Sequence, residues 1–279
     1  DAGDPQRDHA VAIESAPSDE PRTTPKRPRG IRTMRLVVVG ATGRTGGEIV
    51  AEAGGRGHDV VGVATSSDTV EDVRVYPSEE LDGLLADADA AIDFTLPEAS
   101  REHAEAIAEA GVPYVVGTTG FDEAGIETLR ETSETIPVLK ASNFARGVQA
   151  LLAAVEAGVE ALPGYDIELT ETHHNGKRDA PSGTANTILD AIDDARGTDL
   201  DRTYGREGEH LREDSEIGVH VLRAGDVPGE HEIILADNNE VVTLSHRAES
   251  RRVFAAGAVD AAEWLAGQEP GWYDFGDVL

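Results

Sequence analysis

The feature that most constrains this chain is a strand-like run at 35–39, Arg35-Leu36-Val37-Val38-Val39, that meets Gly40-Ala41-Thr42-Gly43-Arg44-Thr45-Gly46 with no spacer, with helical spacing over 43–53. A strand, a glycine turn and a helix in immediate succession open a βαβ unit, and its next strand must lie parallel to the first. In such a turn glycine lets the backbone approach a pyrophosphate, while the helix start offers free N–H groups and its dipole to the phosphate charge. The glycines are spaced G-x-x-G-x-x-G, not the commoner G-x-G-x-x-G, so the turn alone leaves an ordinary strand–helix connection open. The strand before it and the helix after it favour a dinucleotide.

The alternation continues. Strands are expected over 59–64, 90–95, 112–116 and 136–141, with a helix over 100–110 closed by Gly111. The stretch 65–89 is too short and polar for a further complete unit, and one weak strand is expected at 73–76. After Asn143 the character changes: a long alanine-rich helix over 148–162, an alternating strand over 166–172, a helix over 185–196, then strands over 218–223, 230–237 and 241–246. Asn238-Asn239 tolerates the positive φ of a tight hairpin. A last helix is expected over 251–266, before the tail 272–279. The fold class is therefore α/β, an N-terminal Rossmann-type parallel-sheet domain joined to an α+β domain built on a mixed sheet.

Charge separates the ends of the chain. Residues 1–33 hold six acidic and six basic side chains, five prolines and no apolar periodicity, so the whole formal charge of −30 falls on 34–279. Residues 1–33 are expected to be a disordered leader, the alternative being a basic arm around Lys26, Arg27 and Arg29. They lack the apolar core of a signal peptide. Met34, the only methionine, stands directly before the first strand, and the functional chain is expected to begin there.

So acidic a chain is no nucleic-acid binder working by counterion release, and no run is long and apolar enough to span a membrane. The absence of cysteine excludes thiolate catalysis, disulfides and sulfur-ligated metals. Of 24 basic residues 21 are arginine, and beyond residue 33 only Lys140 and Lys177 are lysines. An acidic, lysine-poor surface is similar to that of proteins from extreme halophiles.

Two further segments carry chemistry. The second strand ends Ala64-Thr65-Ser66-Ser67, with no carboxylate before Asp68, where a dinucleotide-binding chain commonly places an acid on the adenine-side ribose. Hydroxyls of Thr65, Ser66 and Ser67, with Arg44, suit a 2′-phosphate, which favours NADPH or dual use over strict NADH. The other segment is Glu171-Thr172-His173-His174-Asn175-Gly176-Lys177-Arg178-Asp179-Ala180-Pro181-Ser182-Gly183-Thr184-Ala185. Two histidines, a rare lysine and an arginine lie within six residues of an otherwise acidic protein. Histidine serves as a general acid near neutral pH, lysine is a compact cation, and the helix opening at Ser182 presents N–H groups of Gly183 and Thr184 to a carboxylate. The pattern fits a small dicarboxylate. No metal is expected, since His231-Glu232 is not followed by a histidine at helical spacing.

With Asp93-Phe94-Thr95, Gly117-Thr118-Thr119-Gly120-Phe121, Ala141-Ser142-Asn143-Phe144, Arg223-Ala224-Gly225-Asp226 and Gly229-Glu230-His231, these segments resemble the dihydrodipicolinate reductase family (4-hydroxy-tetrahydrodipicolinate reductases) of the diaminopimelate route to lysine. The resemblance runs from Met34 to Leu279. It implies His173 as proton donor, Lys177 as second donor and substrate-binding cation, and His174, Ser182, Gly183 and Thr184 on the substrate carboxylates. It implies Gly40, Ala41, Thr42, Gly43, Arg44 and Thr45 on the pyrophosphate, with Gly117, Thr118, Thr119, Ala141, Ser142, Asn143 and Phe144 lining the nicotinamide side of NADPH or NADH. Where the family often has a Glu-Arg pair, this chain has Ser66-Ser67, which leaves the cofactor preference open. It further implies a discontinuous dinucleotide domain, 34–143 with 252–279, around a substrate-binding and oligomerisation domain, 144–251, hinged near Asn143 and Arg251, in a cytoplasmic homotetramer. Other two-domain oxidoreductases share the first part but have no reason to keep the histidine signature. A sensor that only binds NADPH would tolerate losing His173 and Lys177, and both are present.

The charge gives a first expected outcome. An anionic protein repels an anionic cofactor and substrate over a Debye length of about 10 Å at about 0.1 M salt, falling to about 3 Å near 1 M. Activity should rise from low to molar salt in steady-state assays, and a steady fall would contradict this.

Overall fold

Leu36, Val37, Val38 and Val39 are buried on both faces of a sheet, as an unbroken apolar run requires when helices cover both sides. In the computed structural model, which describes residues 32–279, this run is strand β1 (Arg35–Val39). The expectation for a leader falls, except for Arg32 and Thr33, outside the described residues. There follow α1 (Arg44–Arg56), β2 (Asp59–Ala64), β3 (Asp68–Val70), β4 (Val73–Pro77), α2 (Leu81–Leu85), β5 (Ala90–Asp93), α3 (Pro97–Ala110), β6 (Tyr114–Val116), α4 (Glu123–Ser133) and β7 (Pro137–Lys140). The second region comprises α5 (Arg146–Ala161), β8 (Asp166–His173), α6 (Gly183–Arg196), β9 (Asp201–Thr203), β10 (Glu216–Arg223), β11 (Glu230–Asp237) and β12 (Glu240–Arg247). Helix α7 (Arg252–Leu265) and β13 (Gly271–Tyr273) close the chain.

Eight strands form one sheet in the order β13-β7-β6-β5-β1-β2-β4-β3, with only β3 antiparallel to its neighbour. The strand order reverses at β1, which pairs with β2 on one side and β5 on the other. Crevices at the carboxyl ends of strands at such a switch point are where open α/β sheets bind ligands. One face packs on α1 and α7 through Ile49, Val50, Ala258 and Leu265, and the other packs on α2, α3 and α4 through Leu85, Ile107 and Leu129. The smaller sheet, β12-β11-β8-β10-β9, is mixed, and Ile167, Leu169, Ile217 and Ile233 face α5 and α6.

Four stretches differ from expectation, the first being 201–203, where strand β9 pairs with β10. The 65–89 stretch holds two strands and a short helix, because Glu71 and Asp72 adopt positive φ (49° and 64°) and turn β3 back onto β4. Helix α4, not among the expected elements, carries one large buried apolar side chain, Leu129, in an otherwise largely polar sequence. Strand β13 is three residues long and owes its form to pairing with β7. The Asn238-Asn239 hairpin is present, with φ of 49° and 62°.

Helix α7 packs on the first sheet although it follows the second in sequence. Beside Val259 and Leu265, its buried residues are small, Ala255, Gly257, Ala258, Ala261 and Ala262, which lets the backbone come close. A Cβ added to Gly257 would stand 1.7 Å from the carbonyl oxygen of Phe144. Gly257→Ala should therefore cost about 1–3 kcal/mol of stability in urea unfolding, as overpacked cores do. A midpoint equal to that of the native chain would contradict so close an approach.

Candidate active site

The glycine turn is tight for steric reasons. Gly40 takes φ +84°, and a Cβ there would lie 2.6 Å from the Phe94 carbonyl oxygen, while one at Gly46 would lie 2.0 Å from that of Gly40. The N–H groups of Gly40 and Ala41 donate to the Val63 carbonyl at 2.8 and 3.1 Å, which pins the turn to the end of β2. At the start of α1 the cap position is Gly43, with no side-chain cap and no acidic residue in the first turn. The helix start thus has neither a capping side chain nor a carboxylate of its own, which suits a dinucleotide pyrophosphate. Ala41 is buried, Thr45 half-buried, and Thr42, Gly43, Arg44, Ser66 and Ser67 are exposed around the same crevice mouth.

Beside it, at the end of β5, Asp93 is fully buried and saturated with donors. Its carboxylate accepts from Thr95 N–H (3.0 Å), Thr95 Oγ1 (2.6 Å), Tyr114 OH (2.8 Å) and Thr118 Oγ1 (3.3 Å), and lies 2.8 Å from His103 Nδ1. Burial and the Asp93 charge push the Tyr114 phenol well above its usual range, so it donates throughout. Asp93 thus ties the loop after β5 to Gly117, Thr118 and Thr119 after β6. Gly117 has no room for a side chain, because a Cβ would strike the Phe94 ring at 2.2 Å. Phe94 in turn packs on Phe144 (centroids 5.5 Å apart), and Phe144 on Phe275 of the tail (5.3 Å).

Ala141, Ser142, Asn143 and Phe144 leave β7 and meet the second region directly. Asn143 Nδ2 donates to Thr184 Oγ1 at 2.9 Å, and the space at Gly183 is bounded by Ser142 Cβ. Ser182 caps α6, its Oγ accepting from Ala185 N–H at 3.1 Å, while its own N–H goes to Glu171. Ser182 is 1% exposed, so both its polar groups are occupied inside the protein. It shapes the helix start, and the N–H groups at Gly183 and Thr184 are those left to face a ligand.

The histidine segment forms the opposite wall. His173, at the end of β8, is buried, with Nδ1 2.7 Å from Glu171 Oε2. Burial pushes the Glu171 carboxyl up, but His173, Ser182 and Arg223 outweigh it and hold its pKa at about 2. Burial, with His173 close by, pushes the His231 imidazole down to about 4, so it is neutral near pH 7. Half-buried His174 is lowered too, by burial first and then by the nearby Arg251 and Arg44 cations. Lys177 Nζ rests on exposed Asp179 at 2.8 Å. Glu171, His173 and His231 hold possible ligand atoms within 4.8 Å of one another, as a cation site would. Arg223 Nη2 already donates to Glu171 at 3.0 Å, and this fixed cation opposes a second one. Sequence reasoning assigns no role to Glu171, Arg223 or His231, although strand alternation places Glu171 and His173, two residues apart, on one face.

A parallel sheet with a glycine turn at its switch point, joined to a mixed sheet that presents histidine, lysine and a helix start, is the architecture of a two-domain α/β oxidoreductase. Residues 34–144 match the family described as "Dihydrodipicolinate reductase, N-terminus" and residues 147–279 that described as "Dihydrodipicolinate reductase, C-terminus", and the chain belongs to this reductase family. It is 73% identical over 246 residues (88% of this chain, all of the relative) to the 4-hydroxy-tetrahydrodipicolinate reductase of Natronomonas pharaonis. It is 55% identical over 248 residues (88% and 98%) to that of Haloarcula marismortui. Among solved structures it resembles the dipicolinate-bound dihydrodipicolinate reductase of Paenisporosarcina sp. TG-14, with a TM-score of 0.70 and 23% identity over 89% of this chain and 100% of that one. That likeness is one of fold. Among the described residues no helix is long and apolar enough to cross a membrane.

The buried histidine sets an expected pH dependence. His231 titrates near 6.5 when unfolded and about 4 when folded. Between those values the unfolded chain binds more protons, so stability falls as pH drops from 6.5 to 4 and loses nothing further from this group below that. Glu171, lowered from 4.5 to about 2, extends the loss as pH falls through that lower range. Urea midpoints of the native chain and His231→Asn, followed from pH 7 to 4 in molar salt, should converge as the native chain alone loses this increment. Curves that stay parallel would contradict a buried neutral His231.

Proposed function

We propose that the chain reduces 4-hydroxy-tetrahydrodipicolinate to tetrahydrodipicolinate, with loss of water, at the junction of its two sheets. Membership of the family makes it a 4-hydroxy-tetrahydrodipicolinate reductase, an oxidoreductase of the diaminopimelate route to lysine. The observation that carries the site is the contact of Asn143 with Thr184, because it brings the dinucleotide crevice and the start of α6 to one place.

The bound nicotinamide cofactor supplies hydride, and the chain supplies everything else. Gly40, Ala41, Thr42, Gly43, Arg44 and Thr45 hold the pyrophosphate against the start of α1. Gly117, Thr118, Thr119, Ala141, Ser142, Asn143 and Phe144 line the nicotinamide side. His174 and the N–H groups of Gly183 and Thr184 bind the carboxylates, with Ser182 fixing that helix start. Lys177 exchanges Asp179 for the substrate and steadies the charge that gathers on the conjugated ring. His173 delivers the proton that quenches it. Closing the two regions about Asn143 and Arg251 excludes water from the ring. Ser66 and Ser67, with no carboxylate before Asp68, favour NADPH or dual use. The outer face of the second sheet, where Leu222 and Val241 stand 46% and 63% exposed, supports assembly into a homotetramer, and the pathway supports a cytoplasmic setting.

Freshly generated substrate should drive oxidation of NADPH, and kcat/KM for NADPH should equal or exceed that for NADH. No substrate-dependent oxidation with either cofactor would end the reading, and a large NADH preference would overturn that of Ser66 and Ser67. His173→Ala and Lys177→Ala should each lower kcat by roughly 10²- to 10⁴-fold with cofactor affinity nearly unchanged, as expected for groups acting in proton transfer. Loss of cofactor binding instead would contradict the division of roles.

A further inference from the structure

Glu171 is a fully buried carboxylate that none of these roles uses. Alternation along β8 sets it on the same face as His173, and register sets His231 beside Glu171 and Arg223 beside His173. Its Oε1 accepts from Ser182 N–H at 2.9 Å and from Arg223 Nη2 at 3.0 Å, so that edge is fixed by the start of α6 and by a guanidinium. Its Oε2 stands 2.7 Å from His173 Nδ1 and 4.0 Å from His231 Nε2. A carboxylate oxygen and an imidazole lone pair repel at 2.7 Å, so Nδ1 carries a hydrogen. Nε2 is then the nitrogen left for the substrate. A Cβ on Gly229 would lie 3.1 Å from it, and glycine keeps that side clear. His231 packs edge-on against the His173 ring, centroids 5.2 Å apart at 74°, and limits its rotation.

We propose that Glu171 is the positioning residue for proton delivery, holding His173 with Nδ1 protonated and Nε2 turned to the substrate, and held in turn by Arg223 and the start of α6. This rests on the reading of His173 as proton donor. In the step itself the Nε2–H bond breaks and the proton joins the ring that has gained the hydride's electron pair. The imidazolium becomes a neutral ring with its hydrogen on Nδ1. Glu171 stays ionised throughout, and water returns the proton to Nε2.

The test uses protein labelled with ¹⁵N-histidine, the His173 signals being identified by their loss in His173→Ala. In the native chain the neutral His173 ring should carry its hydrogen on Nδ1. In Glu171→Gln the amide keeps Oε1 for Ser182 and Arg223 but sets an NH₂ against Nδ1, so the hydrogen should move to Nε2 and the two ring-nitrogen signals should exchange character. Substrate turnover by that variant should fall roughly 10²- to 10⁴-fold in kcat with KM and cofactor affinity close to native. Native-like kcat in Glu171→Gln, or an Nε2–H tautomer in the native chain, would overturn the proposal. Should the variant fail to fold, the native tautomer alone decides. A native chain with the Nδ1–H tautomer but no substrate-dependent oxidation of NADPH or NADH would sink the reductase reading and with it the proton-delivery role, leaving Glu171 only as the group that fixes the His173 ring.

Discussion

A carboxylate sealed from water is costly unless its charge is met, and Glu171 is met by groups drawn from three parts of the second region. Ser182 comes from the start of α6, Arg223 from β10, His173 from β8 itself, and His231 from β11 lies just beyond hydrogen-bonding range. Satisfying one buried charge therefore sets the helix start against the sheet and fixes the histidine ring. The same requirement appears in the first region, where Asp93 gathers Thr95, Tyr114, Thr118 and His103. Each region builds its half of the site around a buried carboxylate at the carboxyl end of a strand.

The halves meet through a short set of contacts. Asn143 reaches Thr184, Ser142 bounds Gly183, and Phe144 sits between Phe94 and Phe275 with its carbonyl against Gly257 of α7. Residues 142–144 are thus braced by the first sheet, by the returning helix and by the tail, and they present one side to the second region.

Much of the fold was legible in sequence where a local signal and its tertiary use coincide. The β1 run, the glycine turn and the alternating β8 strand carry their own periodicity, and Asn238-Asn239 its own turn preference. Elements that exist because of a partner were not legible. Strand β13 depends on β7, the β3–β4 pair on a Glu71-Asp72 turn with no glycine or asparagine to announce it, and α4 on a face with Leu129 as its one large buried apolar group. At the site, the histidine cluster stood out against an acidic background, and so did the helix start after it. Glu171 did not stand out, since one carboxylate among 54 acidic residues carries no compositional signal. Only its burial and its neighbours distinguish it. Ser182 shows the converse: its position in the signature points to ligand, yet its N–H and hydroxyl are both occupied by the protein.

The proposed site holds a dicarboxylate ring between the start of α6 and His173, with the dinucleotide turn across from it. A crystal structure of this chain with dipicolinate and NADPH tests it most directly. The expected result places one carboxylate on the N–H groups of Gly183 and Thr184, Lys177 turned from Asp179 toward the ligand, and the ring within reach of His173 Nε2. A ligand bound away from α6, or a Lys177 still paired with Asp179 beside an occupied site, would contradict it.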